Sequence, residues 1–158
     1  MRWVVIESPI DELGVAVDDS GVCGVRFGGV DAPHATDDPQ LRAAVDQIRA
    51  YFAGELTEFT LPLSVRRGSE FERAVWHQMT RIPYGEMRTY GEIAAAVGDP
   101  GSARAVGVAC NRNPIPVIVP CHRIVGAGGK LVGFGGGLPR KRYLLELEAR
   151  VALQQAWS

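Results

Sequence analysis

Two helix-capping boxes constrain the second half of this 158-residue chain more than any other local pattern. Residues 69–72 (Ser-x-x-Glu) and 89–92 (Thr-x-x-Glu) each place a capping hydroxyl before a helix and an acidic residue three positions on, which caps the same end in return. Ser102 follows a turn and predicts a third short helix, which the Asn113-Pro114 pair ends. Short helices joined by tight turns predict a helix-turn-helix, whose second helix commonly faces DNA.

The first part of the chain predicts a small domain of α/β type. Residues 2–29 alternate apolar and polar side chains between Gly and Asp turns, which is typical of two or three antiparallel strands. After a loop at 28–37, Asp38-Pro39 is a helix-start signal, and the apolar spacing that follows predicts a helix up to Gly54.

We therefore expect an α/β domain at residues 1–65, a small antiparallel sheet plus a helix, followed by a mainly helical domain at 66–158. The charges differ between these parts: the first holds four Lys or Arg against eleven Asp or Glu, and the second holds thirteen against seven. Residues 100–145 contain seven bases and no acid. Such a stretch favours a polyanionic partner such as DNA, and a merely solvated basic face is the alternative.

Beyond the third helix the chain is rich in proline and glycine. Val117, Ile118 and Val119 are consecutive β-branched residues, which predicts a buried strand. Residues 126–137 contain seven glycines, which predicts a tight hairpin whose backbone can approach a ligand. A last helix is expected from Pro139 onward.

The segment 120–123 (Pro-Cys-His-Arg) carries the clearest chemical signal. A cysteine attacks as its thiolate and needs a base or a positive field nearby. His122 can supply that base only if the backbone turns here, because neighbouring residues of a strand point to opposite faces. An imidazole base needs an orienting group, usually a carboxylate, and Glu146 and Glu148 are the downstream acids. A Cys-His-Glu triad and a structural Cys121 beside a surface His-Arg pair both stay open.

Three cysteines without framework spacing predict free thiols in a reducing cytoplasm. Cys23 lies in a strand pattern and is expected in the core. Cys110, Cys121 and His122 are too few and wrongly spaced for a closed zinc site, so we expect no metal. No apolar run is long enough to span a membrane, and the N-terminus lacks the apolar core of a signal peptide.

Several motifs together resemble one family. IPYGEMRTYGEIA, GSARAVG, NRNP, PCHR, VGFGGG and LLELE occur in the order and spacing of the O6-alkylguanine-DNA alkyltransferases, also called methylated-DNA–protein-cysteine methyltransferases. They lie within residues 71–148, and PCHR in this setting is strong evidence of the family. The first domain resembles the family's N-terminal domain less specifically, mainly through YFAGEL. The resemblance implies a ribonuclease-H-like α/β domain followed by a mainly helical, winged helix-turn-helix-like domain.

The resemblance also implies a DNA repair reaction. Such a protein binds duplex DNA through the minor groove, flips out an O6-alkylguanine and moves the alkyl group irreversibly to Cys121 in a single turnover. O6-methylguanine is the chief expected substrate, and O4-alkylthymine is a further candidate. His122 would take the thiol proton through a water, Glu148 would hold the imidazole, and Tyr90 would donate to the departing guanine. Asn113 would tie the turn before the active-site strand. No cofactor is implied.

The DNA contacts follow from the same resemblance. Arg104 would fill the space left by the flipped base. The expected DNA-binding residues are Tyr90, Ser102, Ala103, Arg104, Asn111 and Arg112. The expected contacts to the substrate base are Cys121, Ile124, Phe134 and Gly135. We expect a cytoplasmic monomer, associated with the nucleoid when bound to DNA, that needs no protein partner, can assemble cooperatively on DNA and does not bind membranes.

Two residues depart from the family pattern. Phe134 stands where many members carry Tyr, which removes a hydroxyl contact to the base, and Asn111 stands where some carry a basic residue. Two other functions stay open. An alkyltransferase-like binding module would lack the cysteine that this chain keeps, and a cysteine hydrolase would leave the basic stretch without a purpose.

Overall fold

A computed structural model describes residues 1–28 and 37–157 of the chain. The loop expected at 28–37 falls almost entirely outside these ranges. Among the described residues, no helix combines the length and apolar character needed to cross a membrane. The domain limits drawn from the sequence stay a prediction. The chain divides into two compact units: the first holds Met1–Arg66 and Pro114–Ile118, and the second holds Arg67–Asn113 and Val119–Ser158.

The first unit is built on a three-stranded antiparallel sheet. The central strand β2 (Leu13–Asp18) pairs with β1 (Arg2–Ile6) on one side and with β3 (Gly21–Phe27) on the other. Every residue of β2 is buried, because a strand lies on each side of it and the helix α1 (Pro39–Phe52) packs against the sheet. The expectation of a small sheet plus a helix is confirmed.

The helix α1 begins and ends where the sequence signals lie. Asp38 caps the first turn by accepting hydrogen bonds from the N–H groups of Gln40 and Leu41, and Pro39 needs no N–H partner at this position. At the other end, Gly54 adopts a φ of +77°, a left-handed conformation that glycine reaches without steric cost. Both predicted ends of this helix are confirmed.

The second unit is mainly helical. Its longer helices are α2 (Glu70–Thr80), α3 (Tyr90–Ala96), α4 (Ala103–Asn111) and α5 (Leu138–Ala156). Both predicted capping boxes are present, at the starts of α2 and α3. The helices α3 and α4 pack against each other, which confirms the predicted helix-turn-helix. Two short strands, β4 (Arg88–Thr89) and β5 (Ile124–Val125), pair in parallel.

The expectation of a buried strand at 117–119 is wrong. These side chains are buried, but Val117 adopts a φ of +73° and the chain turns there. The prolines at Pro114, Pro116 and Pro120 explain the difference, because a proline has no N–H to contribute to a ladder. The only strand that follows in this region is the two-residue β5.

The glycine-rich segment 126–137 reverses the chain without forming a paired hairpin. The N–H of Gly126 donates to the carbonyl of Lys130 at 2.8 Å, and Gly128 and Gly129 take positive φ values in the turn. No strand forms within 126–137, because glycine has no side chain to pack across a ladder and loses much freedom on ordering. The predicted reversal is correct and the predicted strand pairing is wrong.

Candidate active site

The backbone turns at the cysteine. Cys121–Arg123 form one turn of 3-10 helix, and the N–H of Arg123 donates to the carbonyl of Pro120 at 3.0 Å. In such a turn successive side chains do not alternate between two faces as they do in a strand. All three side chains are buried, so a structural cysteine beside a surface His-Arg pair is excluded. The backbone condition under which His122 can serve Cys121 is met.

His122 pairs with Glu148 on α5. The Nε2 atom of His122 lies 2.7 Å from Oε2 of Glu148, and both side chains are fully buried. Glu146 is exposed on the same helix, since two positions along a helix differ by about 200°. Burial lowers the pKa of His122, so the imidazole is neutral at pH 7 and Nε2–H donates to the carboxylate. The lone pair therefore lies on Nδ1.

Arg123 holds the other side of this carboxylate. Its Nε donates to Oε1 of Glu148 at 2.8 Å and its Nη2 donates to Oε2 at 3.0 Å, while Nη1 donates to the carbonyl of Ile82 at 2.7 Å. The N–H of Gly85 also lies 3.3 Å from Oε1. Burial alone would raise the pKa of Glu148, but the hydrogen bond from His122 and the guanidinium of Arg123 lower it to about 2.

Cys121, the candidate nucleophile, is a buried free thiol. It is 6% exposed, and burial raises its pKa to about 11, against the opposing effects of a hydrogen bond from Asn113 and the positive charge of Lys141. The Asn113 amide also donates to the carbonyl of Val119 at 2.9 Å. Asn113 therefore links the end of α4 to the chain just before the cysteine, and its role in the reaction stays a prediction.

Nδ1 of His122 is the candidate base. It is buried and has no hydrogen-bond partner within the part of the chain that the structure describes. A buried acceptor without a protein partner is free to accept a hydrogen bond from a water molecule or a substrate group. A neutral imidazole, oriented by a carboxylate on Nε2, is suited to accept a proton on Nδ1.

Lys141 is a buried cation that sequence reasoning missed. It is fully buried on α5, and its Nζ donates to the carbonyls of Val132 and Gly133 at 3.1 and 3.2 Å. Burial lowers its pKa, and the negative charge that Cys121 carries when it is ionised acts in the opposite direction. The spacing of Lys141 and Glu148, seven residues apart, places both on one helical face and is the signal that could have found it.

Tyr90 lies at the first position of α3, beside the glycine-rich segment. Its hydroxyl donates to the carbonyl of Val132 at 3.0 Å, and Nζ of Lys141 lies 5.8 Å from its ring centroid. A Cβ atom placed on Gly107 of α4 would lie 3.8 Å from the ring. Burial raises the pKa of Tyr90 to about 12, so the phenol keeps its proton at neutral pH.

The expected DNA-binding residues of α4 lie toward its exposed side. Arg104 and Asn111 are exposed, and Ala103 is partly exposed. The hydroxyl of Ser102 donates to the carbonyl of Asp99 at 2.6 Å and makes no cap to the helix. The structure thus places these residues on an accessible surface of the second unit.

Arg112 and the expected base contacts differ in their surroundings. Nε of Arg112 lies 2.5 Å from Oε2 of Glu72, so its charge already has an acidic partner. Ile124 is fully buried, Phe134 is partly exposed and Gly135 is exposed. Their contacts to a substrate base, like the roles of the other site residues, stay predictions.

Other candidate ligands do not assemble into a metal site. Within residues 1–28 and 37–157, no group of three or more His, Cys, Asp or Glu side chains could hold a metal ion. Cys23 is buried in β3, as expected, and Cys110 is buried in α4. Burial raises the pKa of Cys110 to about 12, and unlike Cys121 it has no histidine next to it in the chain.

Two family models match the chain. The DNA binding domain of 6-O-methylguanine DNA methyltransferase matches residues 70–150, and the ribonuclease-like domain of the same family matches residues 1–65. The chain belongs to the 6-O-methylguanine DNA methyltransferase family. The resemblance carried by the PCHR motif is confirmed, and so is the fold class.

Relatives and solved structures of this methyltransferase family agree over nearly the whole chain. The methylated-DNA–protein-cysteine methyltransferase of Mycobacterium tuberculosis (strain ATCC 25618 / H37Rv) is 53% identical over 153 residues, 94% of this chain and 92% of the relative. That of Methanosarcina acetivorans is 46% identical over 154 residues, 94% and 98% of the two chains. The crystal structure of Mycobacterium tuberculosis OGT in complex with DNA is 50% identical with a TM-score of 0.85, covering 96% of this chain and 94% of that one.

The ionised Glu148 makes the stability of this methyltransferase depend on pH. Its pKa is about 2 in the folded protein and ordinarily 4.5, so its contribution is complete above pH 4.5 and is lost as the pH falls toward 2. The shift corresponds to about 3 kcal/mol in the free energy of unfolding. We expect denaturant titrations of Glu148→Gln to lack this acid-dependent component.

Glu146→Gln is the matched control, since Glu146 is exposed on the same helix. This variant should keep the pH dependence of the wild type. If Glu148→Gln instead retained the full acid-dependent loss of stability, the buried network described here would be incorrect.

Proposed function

We propose that this methyltransferase repairs O6-alkylguanine, chiefly O6-methylguanine, in duplex DNA by moving the alkyl group irreversibly to Sγ of Cys121. Family membership makes the chain a methylated-DNA–protein-cysteine methyltransferase with a DNA-binding domain. The observation that carries the assignment to Cys121 is the 2.7 Å contact between His122 and Glu148 immediately beside it. Among the three cysteines, Cys121 alone adjoins a histidine in the chain.

The first step is a proton transfer from the thiol. His122 Nδ1 takes the proton of Cys121 through a water molecule, as the resemblance implies, and becomes an imidazolium. The carboxylate of Glu148 stabilises that cation through Nε2–H. The thiol, with its pKa of about 11, stays protonated until this transfer occurs. The nucleophile is thereby formed only where the base and the orienting carboxylate act together.

The second step is a direct displacement. The thiolate of Cys121 attacks the alkyl carbon, the new S–C bond forms, and the C–O6 bond breaks with its electron pair left on the guanine. Tyr90 donates to the departing base, a role that suits a phenol whose pKa is about 12 and which is protonated at neutral pH. The thioether does not turn over, so each molecule reacts once. The chain needs no cofactor for these steps.

Recognition of the lesion is assigned to the helix-turn-helix. We propose that α4 enters the minor groove, that the lesion flips out of the stack, and that Arg104 fills the space it leaves. Arg104 is exposed and is the charged residue of α4, and a planar cation can both stack on bases and pair with them. The protein acts as a monomer in the cytoplasm, and O4-alkylthymine is a second substrate candidate.

Mass spectrometry tests the proposed reaction most directly. After incubation with a duplex that carries one O6-methylguanine, we expect one added methyl group, located on the peptide that contains Cys121. Cys121→Ser should remain unmodified, whereas Cys110→Ala, which alters a second buried thiol of the same unit, should be methylated like the wild type. A protein that binds the lesion duplex but stays unmodified would instead be a binding module.

Arg104→Ala separates DNA recognition from chemistry. We expect this variant to repair duplex DNA about 100-fold more slowly, which is a typical effect of losing a group that positions the substrate. Its reaction with the free base O6-benzylguanine should stay within about twofold of the wild-type rate, because only a duplex leaves a space to fill. Rates measured on both substrates decide the point. Equal losses on the two substrates would contradict the assigned role.

A further inference from the structure

One apolar side chain on α4 has no role in the reaction proposed above. Arg104, Val108 and Asn111 are exposed and lie at positions i, i+4 and i+7, so they share one helical face. The opposite face, which includes Val106 and Ala109, is buried. Val108 exposes 59% of its surface. It lies in the middle of the helical face that contacts DNA in the proposed function.

A single exposed apolar residue ordinarily needs no explanation. Val108 differs because of its neighbours: Arg104 lies one helical turn before it, and residues 100–145 hold seven bases and no acid. The positive charge of this stretch is complementary to a phosphate backbone, and the stretch contains no acidic side chain that would repel phosphates. The face therefore fits a nucleic acid rather than a second, similarly basic copy of itself.

The minor groove offers a surface for such a side chain. Proteins that bind there combine a cation with apolar side chains that press against the base steps. The remaining residues of the face are small or polar, since Ala105 and Asn111 flank Val108 on α4. Val108 is thus the bulky apolar group that can fill the groove one turn beyond Arg104.

We propose that Val108 is a DNA-binding residue that packs against the sugar and base edges of the minor groove beside the lesion. This inference rests on the proposed function and extends it. The contact involves no charge, so it adds affinity that does not depend on salt, in contrast to contacts that release counterions. It affects binding of the duplex and leaves the chemistry at Cys121 unchanged.

The test compares Val108→Ala with Leu153→Ala. Leu153 is 60% exposed on α5, so the two variants remove similar apolar side chains from equally exposed helical positions. We expect Val108→Ala to bind a lesion duplex about tenfold more weakly, because the variant no longer buries two carbon atoms in the groove. The slope of the logarithm of the binding constant against the logarithm of the salt concentration should stay the same. Leu153→Ala and Val108→Ile should bind like the wild type. Alanine favours helix more than valine, so folding is preserved.

Reaction with free O6-benzylguanine separates the possible outcomes. An unchanged rate in Val108→Ala, together with weaker duplex binding, supports the inference. Wild-type duplex affinity in Val108→Ala overturns it while the proposed function stands, because the wild type binds and is methylated in the same assay. Equal losses on duplex and free base also overturn it, since the effect is then structural. A wild type that neither binds nor reacts overturns the proposed function itself.

Discussion

A carboxylate that is removed from water is stable as an anion only when cations and N–H groups surround it. Glu148 is in this position. The guanidinium of Arg123 donates to both of its oxygens, and His122 and Gly85 also lie within hydrogen-bond distance of it. Because Arg123 also donates to the carbonyl of Ile82, this one ion pair joins α5, the 3-10 turn and the segment that follows α2. The orientation of the imidazole depends on it.

In the proposed reaction, the same network governs when the buried thiol of Cys121 loses its proton. The thiol of Cys121 has a pKa of about 11 and the pKa of His122 is lowered, so the thiolate is scarce in the resting protein. Proton transfer becomes favourable only as the thiolate is consumed, and the carboxylate then stabilises the imidazolium. Lys141 and Asn113 oppose the effect of burial on the thiol.

The sequence predicted local features better than long-range partners. The capping boxes at Ser69 and Thr89 appeared as predicted, because both groups of each box lie within one turn. The strand expected at Val117 failed, because flanking prolines remove the N–H groups that a ladder requires. Spacing alone could not choose between Glu148 and its neighbour, since that choice depends on which face of α5 is buried. The ion pair between Arg123 and Glu148 was not predicted, because the sequence left Arg123 at the surface and its burial depends on how α5 packs against the 3-10 turn.

In the proposed reaction, His122 is a neutral base whose Nε2 carries the proton. Nitrogen-15 NMR of the imidazole, assigned with a His122→Gln variant, reports this tautomer directly. At pH 7 we expect a protonated Nε2 and an unprotonated Nδ1, with no conversion to the imidazolium until the pH is below 6.5, the ordinary pKa of histidine. A proton on Nδ1, or a doubly protonated ring at pH 7, would contradict the account.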